Sequence, residues 1–128
     1  MAHWSDQYVG QPYIRETGDC AALAERVARE VFGKVVGLPT SHASTYREQA
    51  KQIMELRDDY AERIDEPVDG CPVLFIGRGR LCHIGVACLL AHEVWILHAD
   101  QSSGFVIRQR LRDVTRVHFR LEGFYKWK

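Results

Sequence analysis

The sequence predicts an α+β domain in which N-terminal helices pack on an antiparallel sheet of about five strands. Three observations carry the prediction. Apolar residues recur at helical spacing in the first half of the chain. From residue 72 onward they give way to short apolar runs separated by turn residues. Those runs follow one another directly, as neighbouring strands of an antiparallel sheet do.

The elements follow in order. Residues 1 to 18 read as a short helix or loop. Thr17, Gly18 and Asp19 read as a turn and an N-cap, after which Leu23, Ala24, Val27, Ala28, Val31 and Phe32 recur at helical spacing. A helix is therefore expected from about Asp19 to Phe32, with Gly33 just past its end. Cys20 falls in its first turn. Leu38 to His42 reads as a loop, and a second helix is expected from about Ser44 to Arg63. Its packing residues would be Tyr46, Ala50, Ile53, Met54, Leu56 and Tyr60. Asp65 to Gly70, with Pro67, reads as a turn. The strand candidates are Pro72 to Ile76, Leu81 to Leu90, Val94 to Ala99, Phe105 to Gln109 and Val117 to Tyr125. No repeat or linker divides the chain, so residues 1–128 are expected to form a single domain.

Charge narrows the function. Lys plus Arg and Asp plus Glu number 17 each, giving a formal net charge of zero. That balance argues against a dedicated nucleic-acid or anionic-membrane binder. The arginine and lysine series from Arg108 to Lys128 is interrupted by acidic and apolar residues and reads as a solvated face. The start MAHWSDQYVGQPY has no basic stretch leading into an apolar core, so no secretory signal is expected and synthesis is expected in the cytoplasm. No apolar run is long enough to span a bilayer.

The four cysteines are Cys20, Cys71, Cys82 and Cys88. None forms a C-x-x-C pair, and a reducing compartment favours free thiols. Cys71, Cys82 and Cys88 lie in apolar stretches and are expected to be small buried hydrophobes. Among the histidines, His3 is assigned to a mobile terminus, His42 to a loop, His92 to a turn and His118 to a late strand.

The remaining two histidines lie in LCHIGVACLLAHEVWILHAD. If Ala91-His92 is the turn, Leu90 pairs with Glu93 and Gly85 lies opposite His98. His83 shares a face with Gly85, because side chains alternate along a strand. His83 and His98 are then diagonal neighbours, roughly 7–8 Å apart at the backbone. Gly85 would leave room for a ring or a substrate. Both faces of this hairpin are apolar, so the sheet is either covered on both sides or meets a partner.

These residues suit nucleophilic catalysis. A thiol attacks only as the thiolate, which a helix N-terminus and a nearby imidazolium stabilise. One histidine can serve as base and then acid, while a second polar group fixes its orientation. Cys20, His83 and His98 supply these parts. On pattern alone they suit better a buried helix cysteine and two satisfied core or edge histidines. A zinc site from the same three residues lacks a fourth ligand at a recognisable spacing, so neither metal nor cofactor is expected.

The motif YVGQPYIRETGDCAAL resembles the start of the NlpC-type cell-wall peptidases, a papain-like cysteine hydrolase family, and most resembles their phage-tail branch. CHIGVAC is similar to the family's His-x-Gly strand, VWILHAD to the strand bearing the third polar residue, and LEGFYKWK to the closing strand. The resemblance runs from about Tyr8 to Trp127. It implies a papain-like fold with Cys20 as nucleophile, His83 as base and His98 as orienting residue. Tyr13 would bind substrate or stabilise an oxyanion, and Asp19 would cap the helix. The implied substrate is an amide bond of peptidoglycan stem peptides, γ-D-glutamyl to diamino acid, cut by a protein of a phage or prophage tail. Where many members continue Asp-Cys with Ser-Gly, this chain has Ala21-Ala22, and Gly70-Cys71 stands where Gly-Asp is common. Two alternatives stay open: a tail-assembly structural protein with little activity, and a papain-like amidase or acyltransferase acting on another substrate.

Overall fold

Two layers of side chains on either face of one sheet organise the molecule. The computed structural model describes residues 2–13, 20–36, 51, 53–77, 80–117 and 119–128. Its strands are β1 (Ala61–Ile64), β2 (Pro72–Gly77), β3 (Arg80–Leu90), β4 (Glu93–Asp100), β5 (Phe105–Arg110) and β6 (Arg120–Trp127). They form a six-stranded sheet in the order β1-β6-β2-β3-β4-β5, every pairing antiparallel. The α+β class and the antiparallel sheet agree with the sequence.

Helix α1 (Cys20–Phe32) covers one face, burying Leu23, Ala24, Val27 and Ala28. Leu23, Ala24 and Val27 join Leu74, Ile84, Val86, Cys88 and Leu97 in one core cluster. A second cluster on the other face contains Cys71, Val73, Phe75, Ala87 and Ile96, closed by Val114 from helix α2 (Leu111–Val117). Odd-numbered β3 residues thus serve one core and even-numbered ones the other. This is why the hairpin sequence is apolar on both faces.

The β3–β4 hairpin has the predicted register, from Leu90↔Glu93 to Val86↔Leu97. Ala91 and His92 form its turn with φ values of 50° and 64°. Two left-handed residues in succession give the twist a two-residue hairpin needs.

Two elements depart from the sequence expectation. The second helix does not reach Arg63. Helical residues 53–55 pass into a π turn at Leu56–Tyr60, and β1 then pairs with β6 from Ala61↔Trp127 to Ile64↔Phe124. Pairing with β6 satisfies backbone donors and acceptors that a weak helix preference cannot outweigh. The expected loop from Leu38 and the start of that helix lie outside the described residues. The second departure is α2, which occupies the link before the last strand and includes Val117, so β6 begins at Arg120 instead. Leu111 and Val114, three residues apart, both pack onto the second cluster.

The N-terminal segment, expected to be loose at His3, is tied to the sheet by hydrogen bonds. Trp4–Gln7 forms a 3-10 turn. Asp69 accepts hydrogen bonds from Trp4 Nε1 at 3.0 Å and from the Leu89 amide at 3.0 Å, and lies 3.2 Å from His3 Nε2. Arg108 adds a second anchor, donating to Ser5 Oγ at 2.7 Å and Asp6 Oδ1 at 2.6 Å.

Gly70 is required where this segment meets α1. Its φ is 89°, and a Cβ there would lie 2.2 Å from Phe32 Cε2 and Cζ. The Phe32 ring is itself packed edge-on against Trp4, centroids 5.5 Å apart. Gly70→Ala should therefore destabilise the fold by about 1–3 kcal/mol. Urea denaturation checks this, and an unchanged midpoint at equal slope would contradict it.

Candidate functional site

The hairpin register brings the two predicted histidines together. Leu97 pairs with Val86, so the next residues along, Gly85 and His98, are neighbours, and His83 follows on the same face. His83 Nε2 and His98 Nδ1 lie 2.8 Å apart, with the rings inclined at 80°. The space beside Gly85 is not open as the sequence suggested. A Cβ there would lie 2.5 Å from Ile96 Cγ2 and 3.5 Å from Phe75 Cε2, so neighbouring core side chains already fill it.

A third residue, unforeseen from the sequence, extends the chain. His98 Nε2 lies 2.9 Å from Oε1 of Gln109. Gln109 pairs with Ile96 across β4 and β5, which sets it on the same face as His98. Only the β4–β5 register reveals this placement, and the intervening turn at residues 101–104 carries no motif that sets one.

The pair is buried, with His83 8% and His98 2% exposed. Phe119 stacks on His83 at 4.8 Å with 13° between the planes, and Phe75 lies at 6.0 Å. Burial, and secondarily His98, pushes the His83 pKa down to about 3. Burial also lowers His98, opposed by its Gln109 hydrogen bond and the charge of Asp100. Loss of hydration disfavours the imidazolium form, so both rings rest uncharged near neutral pH.

Cys20 is placed elsewhere. It is the first residue of α1, half-buried, and packs against the α1-side cluster, as does Tyr13. His83 and His98 project from the opposite face, beside Phe75 and Phe119 of the second cluster. The structure thus unites the histidines and sets Cys20 and Tyr13 on the other side of the sheet. Asp19 lies outside the described residues.

Cys71 and Cys88 are free and buried as expected. Burial pushes the Cys71 thiol up and the Cys88 thiol up to about 12. The Cys82 side chain lies outside the described residues, as do His42 and His118. Among the described residues, no helix is long and apolar enough to cross a membrane. No group of three or more His, Cys, Asp or Glu among them is placed to hold a metal ion.

Comparison with protein-family models, curated proteins and solved structures finds no match to this chain.

Proposed function

We propose that the chain is a cysteine hydrolase that cleaves an amide bond of peptidoglycan stem peptides, γ-D-glutamyl to diamino acid, as part of a phage or prophage tail. The observation that carries the proposal is the buried chain His83–His98–Gln109, in which a histidine is oriented by hydrogen bonds through a second polar ring. Cys20, at the first position of the 13-residue helix α1, has the electrostatic setting that favours a thiolate.

In this reaction Cys20 Sγ gives up its proton to His83 and bonds to the amide carbonyl carbon. His83 returns the proton to the nitrogen as the C–N bond breaks. Water, deprotonated by His83, then cleaves the thioester and regenerates the thiol. Turnover requires Cys20 Sγ to reach His83, although the structure places them on opposite faces of the sheet. That placement favours a second reading, a tail-assembly protein with a papain-like fold and little activity.

Digestion of purified peptidoglycan separates the two. The hydrolase should release new muropeptides detectable by mass spectrometry. Cys20 should also react with iodoacetamide at neutral pH faster than Cys71 and Cys88, and His83→Ala should slow that reaction. Absent products with labelling of Cys20 that ignores His83 favour the structural reading; absent products with labelling that depends on His83 favour an amidase or acyltransferase acting on another substrate.

A further inference from the structure

We propose that Gln109 is a positioning residue: its amide oxygen sets the order of protons along the His98–His83 chain and leaves the free lone pair of His83 on Nδ1. The catalytic consequence rests on the hydrolase reading; the proton order does not.

The inference follows from donor and acceptor counting. A neutral imidazole carries one N–H and one lone pair. An amide oxygen only accepts, so His98 Nε2, 2.9 Å from Gln109 Oε1, carries the hydrogen. His98 Nδ1 then holds a lone pair. His83 Nε2, 2.8 Å from it, must donate. The remaining nitrogen of His83, Nδ1, is left able to take a proton from a thiol.

The reverse order is equally good between the two rings. His98 would donate through Nδ1 and accept at Nε2, and His83 would carry its hydrogen on Nδ1. That ring could not serve as a base at its free nitrogen. Only the outer end of the chain distinguishes the two orders: Gln109 turns its oxygen to His98 Nε2, whereas the reverse order would need the amide turned over so that its NH2 donates there. In the buried setting of His98, a matched acceptor should favour the first order by roughly tenfold or more.

The test is long-range 1H–15N NMR of the full chain with labelled histidines at neutral pH. Wild type should show His83 and His98 both as Nε2–H tautomers. Gln109→Leu removes the acceptor and should shift both rings toward Nδ1–H. Gln109→Glu keeps an oxygen acceptor, should retain both tautomers, and should raise the pH at which His98 titrates. An Nδ1–H tautomer at either ring of the wild type overturns the proposal, as do unchanged tautomers in Gln109→Leu. If Gln109→Leu fails to fold by circular dichroism, the wild-type spectrum and an unmoved His98 titration in Gln109→Glu still decide against it. With a stem-peptide substrate, Gln109→Leu should lower kcat roughly tenfold or more with KM little changed, and Gln109→Glu should retain turnover. If wild type itself lacks turnover, the hydrolase reading fails while the spectra still judge the proton order.

Discussion

His83→Ala should lower turnover of a defined stem-peptide amide by ~10²–10⁴-fold, the usual cost of losing a general base. The variants at His98 should lose less. His98 does not change its own protonation state in this scheme; it accepts one hydrogen bond from His83 across 2.8 Å. The amide oxygen of a glutamine can accept the same bond, so His98→Gln should retain more activity than His98→Ala. Both should exceed His83→Ala. Turnover by the three variants, each confirmed folded by circular dichroism, gives the ordering. A His98→Gln variant as inactive as His83→Ala would remove the orienting role. Near-wild-type turnover of His83→Ala would remove the base.

The second large effect is acid sensitivity of the fold. His83 rests neutral in the native state, its pKa pushed from the ordinary 6.5 down to about 3 by burial first and His98 second. The unfolded chain binds that proton near pH 6.5, whereas the native state does not. The unfolded state therefore holds more protons throughout the window from 6.5 down to about 3. Stability conferred by the neutral ring is fully present above the window and declines as pH falls through it, by about 1.4 kcal/mol per pH unit for one proton. His98 is shifted in the same direction and steepens the loss. Urea midpoints measured from pH 7 to pH 4 should fall accordingly. His83→Phe, with an uncharged ring between Phe75 and Phe119, should flatten the dependence. Equal slopes in the two proteins would refute the account.

Local signals made much of this legible in the sequence. The α1 period and the Ala91-His92 turn each involve residues close together in the chain. Together they give the helix bearing Cys20 and the register that joins His83 to His98. What escaped depends on distant partners. β1 is a strand because β6 lies beside it, and residues 61–64 alone cannot announce a partner some sixty positions away. Gln109 depends on the β4–β5 pairing in the same way. The separation of Cys20 from the imidazoles is also non-local. Alternation places His83 and His98 on one face, but only tertiary packing decides which face α1 covers.

The strand order has a consequence for synthesis. β6 is the last of the six strands to be made, yet it sits inside the sheet, between β1 and β2. Until it emerges from the ribosome, neither of those strands has its partner along that side. The nascent chain therefore presents two unsatisfied edges to its neighbours, a situation that invites association between copies.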